Sequence, residues 1–422
     1  MALHRVTPVG APLDAVVSVP GSKSIANRAL VCAALADGES TLSGVPEGDD
    51  TAAMVDCLSL LGFGVGQGGS IVRVAGGIDR LVPGPVTLPT RLAGTTSRFI
   101  TALAALGDGP YLVDGFPPLR SRPMEPLHDA LRELGARLEP GETWGHLPVE
   151  VSGPLRATTA QVAIRGDISS QYLSALMLIA PYLQDGLVIE LTTPLVSRPY
   201  LAITQAVMAA FGVLEVSIDE SRVRVGPGRY VAREFIVEPD ASSASYPLAA
   251  AAICGGRVTV PGLDSESLQG DAGFCQVLAS MGCTAEQDEH GTTVRRDGPL
   301  RGVDIDMVDM SDVVPTLAVV AAFAETTTRI RGVGFIRGKE SDRLGDLCVE
   351  LRRAGVTAAE TDDGLVVEPS APHAAALSTH HDHRLAMACA LLGLRVEGID
   401  IEDPAVVSKS WPGYWTMIEG LR

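Results

Sequence analysis

Pro20-Gly21-Ser22-Lys23-Ser24-Ile25-Ala26-Asn27-Arg28 joins a chain-breaking pair to two hydroxyls and two cations, just ahead of an apolar run from Ala29 to Leu35. The pattern predicts a strand that ends at Pro20-Gly21 and a helix capped by Ser22 or Ser24. Free amides in that first helical turn favour an anion by about 0.3–1 kcal/mol, and Lys23 and Arg28 add whole charges. The glycines of a Walker nucleotide loop are absent. The same polar style recurs along the chain. Arg91-Leu92-Ala93-Gly94-Thr95-Thr96-Ser97-Arg98 reads as a helix start whose small residues let a ligand approach the backbone. Arg120-Ser121-Arg122-Pro123 adds cations, while Ser169-Ser170-Gln171 and Ser197-Arg198-Pro199-Tyr200 add hydroxyls and an amide. Asp240-Ala241-Ser242-Ser243-Ala244-Ser245-Tyr246 follows in kind.

Later in the chain, carboxylates join the clusters: Met310-Ser311-Asp312, Gly338-Lys339-Glu340-Ser341-Asp342-Arg343, His381-Asp382-His383-Arg384 and, with a further cation, Ser408-Lys409-Ser410. Each alone also reads as a helix cap or a solvated turn. Gathered in one place, Lys23, Arg28, Arg98, Arg122, Lys339, Arg343, Arg384 and Lys409 would make a multi-anion pocket between domains, with Asp312 and Glu340 as proton carriers. That combination suits group transfer between two phosphate-bearing partners. His381-Asp382-His383 lacks a second ligand cluster, so no metal is expected. No serine sits in a nucleophile elbow and no cysteine has an activating setting, which argues against covalent catalysis. Protein charges can do the electrostatic work, so no cofactor is implied.

The elements that must position these residues form an internal repeat. An apolar helix, a short strand and a second helix closing at a glycine recur about every seventy residues, with Gly62, Gly135, Gly212, Gly282 and Gly355 as the closing glycines. A sixth copy is truncated. Six α/β units divide into two domains of three, and the break at Val237-Glu238-Pro239-Asp240 marks the boundary. Bulk composition agrees: 422 residues, 46% hydrophobic and 20% charged, describe a folded chain too long for one core. A net charge of −18 argues against nucleic-acid and anionic-membrane partners, and makes a cationic loop stand out as a local anion site. The seven scattered cysteines and the absence of an apolar leader in Met1–Arg5 fit a reduced, cytoplasmic setting.

Taken together, Pro20-Gly21-Ser22-Lys23-Ser24 with Asn27-Arg28, Ala93-Gly94-Thr95, Ser169-Ser170-Gln171, Asp240-Ala241-Ser242-Ser243-Ala244, Lys339-Glu340-Ser341-Asp342-Arg343 and Asp382-His383-Arg384 resemble the 5-enolpyruvylshikimate-3-phosphate synthases. The likeness runs through essentially the whole chain, in order. It implies the α/β enolpyruvyl transferase fold: two domains of three βαβαββ-like units, residues 1–20 with 239–422 and residues 21–238, with the active site in the cleft between them. It also implies transfer of the enolpyruvyl group of phosphoenolpyruvate to the 5-hydroxyl of shikimate 3-phosphate, by a monomer. By the same resemblance, Ser24, Arg28, Ser169, Ser170, Ser197, Tyr200, Asp312 and Lys339 hold shikimate 3-phosphate. Lys23, Gly94, Arg122, Gln171, Arg343, Arg384 and Lys409 hold phosphoenolpyruvate, and Asp312, Glu340 and Lys23 are catalytic. Gly94 leaves room for an anionic inhibitor, so sensitivity to glyphosate is expected. Leu92 and Phe335 stand where members often carry Asn, which leaves open a paralogue with another phosphorylated or nucleotide acceptor. A non-catalytic protein that binds phosphorylated metabolites is the alternative from another class.

Overall fold

The computed structural model describes residues 2–156 and 160–421; Met1 and Arg422, the ends of the expected domain ranges, lie outside the described residues. The chain clusters into two compact units, Met1–Pro20 with Glu238–Arg422 and Gly21–Val237. Each has its own apolar core. Among the described residues there are six small sheets, three to a unit.

The repeat is plainest at Val86–Pro89, helix Gly94–Ala104, Tyr111–Asp114, helix Glu125–Glu133, Arg137–Pro140 and Val149–Ser152. The first two strands pair in parallel across their helix, and an antiparallel hairpin completes the sheet. Gln161–Ile164 through Arg222–Val225 and Asp304–Asp306 through Leu365–Val367 follow the same βαβαββ order. Two other copies borrow their first strand from a distant part of the chain. Leu13–Val16 pairs in parallel with Gly256–Pro261, and Glu234–Ile236 with Gly38–Ser43. The truncated copy, Ala375–Leu377, helix His383–Ala390 and Ile399–Glu402, is completed by the N-terminal Leu3–Arg5 strand.

Strand Leu13–Val16 stops short of the expected Pro20-Gly21. The five closing glycines all take positive φ, from +81° to +104°, the left-handed exit that lets a helix hand over to a strand without a Cβ clash. At Gly62 the amide donates to Ser59 O at 3.1 Å, and Phe63 N donates to Leu58 O at 3.2 Å. Helices Lys23–Leu35 and Ala241–Cys254 are buried on every side beyond their first turns. They are apolar all round, as core helices are, and each enclosed Leu or Ile contributes about 1.5–3 kcal/mol. Their N-terminal turns, which carry the polar motifs, are therefore held on rigid supports.

Candidate active site

In the Gly21–Val237 unit, Lys23, Ser24, Gly94, Ser170, Gln171 and Tyr200 occupy the first turns of four helices, with Ser169 as one cap. Lys23 opens the Lys23–Leu35 helix, and its Nζ donates to Asp50 Oδ2 at 2.9 Å. Asp50 lies in the first turn of helix Asp49–Leu60, and its carbonyl accepts from Thr96 Oγ1 at 3.0 Å. Thr95 Oγ1 in turn accepts from Gln171 Nε2 at 3.3 Å, joining helix Gly94–Ala104 to helix Ser170–Ile179. Ser169 caps the latter, accepting from Gln171 N at 3.3 Å. Helix N-termini brought together in this way sum their dipoles toward an anion.

Arg28 is 1% exposed. Its guanidinium donates to Thr204 Oγ1 at 2.7 Å, Ser174 Oγ at 2.9 Å, Ser24 O at 2.9 Å and Tyr200 O at 3.2 Å. It also lies over the rings of Phe99 and Tyr200. Burial lowers its pKa to about 10, Tyr200 and Cys32 opposing the shift. Arg28 thus ties the Ser24 turn to the Tyr200 turn. Ser197 sits buried at φ +55° just before helix Pro199–Ala210. Arg98, counted among the anion-binding cations on sequence grounds, is a brace here: it donates to Gly94 O, Ser97 Oγ and Pro123 O. The Ser22 hydroxyl, expected as a cap, makes no cap bond although Ser22 holds the cap position.

Gly94 packs against Arg122. A Cβ at Gly94 would stand 2.7 Å from Arg122 Nη1 and 3.0 Å from Arg98 Nη1. The Arg122 group is the far end of a flexible side chain, so Gly94→Ala is expected to fold normally while pushing Arg122 off an anion. Because charge-assisted bonds are the strong ones, we expect the KM for an anion held by Arg122 to rise about tenfold or more with Tm nearly unchanged. Steady-state kinetics and a thermal melt check both halves.

In the other unit the cluster centres on Arg343, 1% exposed. Its Nη1 donates to Asp312 Oδ1 at 2.9 Å, its Nη2 to Glu340 Oε2 at 2.7 Å and its Nε to Asp382 Oδ2 at 2.7 Å. Arg384 Nη2 donates to Asp312 Oδ2 at 2.8 Å. Asp382 caps helix His383–Ala390 through Arg384 N at 2.8 Å. Lys409 is buried at the end of the Pro404–Lys409 turn, which packs on that helix. Asp312 is no helix cap: the helix starts at Val314 with Val313 as its cap residue, and both Asp312 oxygens face guanidinium groups. Burial works to raise the Asp312 pKa, but Arg384, Lys339 and Arg343 together hold it well below the usual carboxylate range. Burial likewise works to lower the Arg343 pKa, and Asp382, Glu340 and Asp312 more than reverse this. Phe335, the departure noted above, places its ring 5.8 Å from Lys339 Nζ, an aromatic face for a cation.

Sequence reasoning missed Asp50, Asp382 as a ligand of Arg343, and Asp271. The Asp271 carboxylate accepts a hydrogen bond from Ser242 Oγ. Burial, with the Asp312 charge added, pushes Asp271 up to about 7, against Arg384 and the Ser242 hydroxyl. A carboxyl raised in the folded state contributes stability below its ordinary range, and this is lost as pH rises toward about 7. Asp271→Asn is therefore expected to melt about 2–8 °C above wild type near pH 8 and close to it near pH 4.5, in a thermal melt series.

Among the described residues no group of His, Cys, Asp and Glu is placed to hold a metal. All seven cysteines are free, and burial pushes Cys57 up to about 12 and Cys254 and Cys283 to about 11, so none is an activated thiolate.

The family model for EPSP synthase (3-phosphoshikimate 1-carboxyvinyltransferase) matches residues 8–418. The 3-phosphoshikimate 1-carboxyvinyltransferase of Trichormus variabilis is 42% identical over 408 residues, covering 96% of each chain. That of Vibrio cholerae is 40% identical over 407 residues, covering 94% of this chain and 95% of its own. Among solved structures, EPSP synthase from Acinetobacter baumannii superposes with a TM-score of 0.83 at 24% identity, covering 99% and 98% of the two chains. The enolpyruvyl transferase NikO from Streptomyces tendae gives 0.78 at 18% identity, covering 99% and 97%.

Proposed function

Because this chain belongs to the EPSP synthase family, we propose that its two polar clusters act together on one pair of substrates, phosphoenolpyruvate and shikimate 3-phosphate. The enzyme is a 3-phosphoshikimate 1-carboxyvinyltransferase: the 5-hydroxyl of shikimate 3-phosphate attacks C2 of phosphoenolpyruvate, and phosphate leaves. The observation that carries the assignment of roles is the Asp312 carboxylate, held between Arg343 and Arg384.

Lys23, Gly94, Arg122 and Gln171 from one unit, and Arg343, Arg384 and Lys409 from the other, receive phosphoenolpyruvate. Ser24, Arg28, Ser169, Ser170, Ser197, Tyr200 and Lys339 receive shikimate 3-phosphate, Arg28 by shaping the Ser24 and Tyr200 turns. A carboxylate neutralised by two arginines is a weak base. When the anionic substrate takes over Arg384 and Arg343, Asp312 loses those partners and its affinity for a proton rises. Asp312 then accepts the proton of the attacking 5-hydroxyl as the C2–O bond forms. C3 of phosphoenolpyruvate gains a proton in the same addition. Lys23 enters as an ammonium paired with Asp50, whereas Glu340, paired with Arg343, must first take a proton up; Lys23 is thus the readier donor and Glu340 the carboxylate that stabilises positive charge at C2. In the tetrahedral adduct C3 returns a proton to the group that donated it, the C2–O bond to phosphate breaks as Asp312 passes its proton to the departing phosphate, and the enol ether and inorganic phosphate are released.

Free cysteines throughout fit a reducing cytoplasm, and among the described residues no helix is long and apolar enough to cross a membrane. The test is phosphate release on mixing the protein with both substrates and with each alone. Release is expected only with both; none with both, or equal release with phosphoenolpyruvate alone, contradicts the assignment.

A further inference from the structure

The turn entering helix His383–Ala390 holds two consecutive residues, His380 and His381, at φ +48° and +57°. Non-glycine residues enter this region rarely, and a pair of them persists only where the surroundings impose it. The surroundings here are helix Gly345–Arg353. His380 Nε2 lies 2.8 Å from Glu350 Oε1, and its Nδ1 lies 3.4 Å from Asp346 Oδ1. Glu350 is fully buried, and its Oε2 accepts from Ser378 N at 2.9 Å and from Arg353 Nη1 at 2.8 Å. One helix therefore grips the turn at both Ser378 and His380.

Just past that grip the chain delivers Asp382 and Arg384 to the cluster. Arg343, immediately ahead of the same helix, bonds Asp382 from the other side. The two segments are thus clasped twice, by Arg343 with Asp382 at the site and by His380 with Glu350 and Asp346 behind it. The rear clasp fixes the direction in which helix His383–Ala390 starts, and with it the reach of Arg384 to Asp312.

We propose that His380 is a positioning residue for phosphoenolpyruvate binding: its ring, seated on Glu350 and Asp346, holds the left-handed turn that aims Arg384. This rests on the assignment of Arg384 to phosphoenolpyruvate made above.

His380→Gly and His380→Asn both tolerate positive φ and both lose the clasp, so they separate aiming from folding. Relief of the strained φ offsets the lost contacts, and both variants are expected to melt within about 3 °C of wild type. KM for phosphoenolpyruvate is expected to rise about tenfold, with KM for shikimate 3-phosphate and kcat changed less than about threefold. A wild-type KM for phosphoenolpyruvate in both variants overturns the proposal. So does an equal rise in both KM values with a lowered Tm, which would make the turn scaffold only. If His380→Gly fails to fold, His380→Asn decides by the same criteria. A wild-type protein that transfers nothing between the two substrates refutes the transferase assignment itself, a result distinct from an active wild type whose variants keep its KM.

Discussion

Asp312→Asn is expected to lower kcat by about 10²–10⁴-fold, the contribution of a positioned general base, while KM for phosphoenolpyruvate stays level or falls. The substitution keeps the shape of the side chain and removes its charge. The two guanidinium groups that Asp312 occupies, Arg343 at 2.9 Å and Arg384 at 2.8 Å, lose a competing anion and are freer to meet the substrate. A group serving only to shape the pocket would behave differently, with kcat and affinity lost in similar measure. Single-turnover measurements, which separate binding from chemistry, distinguish the two. Equal losses in both would remove Asp312 from the role of base.

Besides its loss of phosphoenolpyruvate binding, Arg343→Met is expected to lower stability by about 3–5 kcal/mol, because it strips a buried partner from Asp312, Glu340 and Asp382 at once. In thermal melts that corresponds to a fall of roughly 6–20 °C in the unit that carries it. The pH dependence has a definite sign. Without Arg343 the enclosed carboxylates are driven up relative to the unfolded chain, so the stability they contribute is present in acid and lost as pH rises. The deficit against wild type should therefore be smallest near pH 4.5 and widest near pH 8. Arg343→Lys should recover only part of the loss, since an ammonium supplies charge without the planar fork that reaches all three acids. A deficit that does not change with pH would contradict this electrostatic picture.

The places where local chemistry decides structure were legible from the residues. Gly62 and its four counterparts close helices because only a residue without Cβ turns out of a helix there cheaply, and that signal is local. The polar clusters were legible for the same reason, as interruptions of an otherwise apolar repeat. Partners distant in sequence were not. Arg98 and Arg122 look alike in the chain, yet Arg98 is committed to carbonyls of Gly94 and Pro123. Asp50 reads as an ordinary acid in a first helical turn, and nothing local links it to Lys23. Asp271 follows Gln269-Gly270 like any turn acid, and its altered acidity comes from burial and from Asp312, remote in the chain. The pairing of Leu13–Val16 with Gly256–Pro261 is likewise beyond periodicity; the family resemblance implied only that residues 1–20 belong with residues 239–422.

The proposed grip joins cations from the two compact units on one substrate. Its most direct test is kcat/KM for phosphoenolpyruvate in Lys23→Met and Arg384→Met, measured side by side at saturating shikimate 3-phosphate. Both values are expected to fall by about 10²-fold or more, since each variant removes a charge-assisted contact to the same anion. If either variant keeps the wild-type value, one unit alone holds the substrate, and the shared site proposed here is wrong.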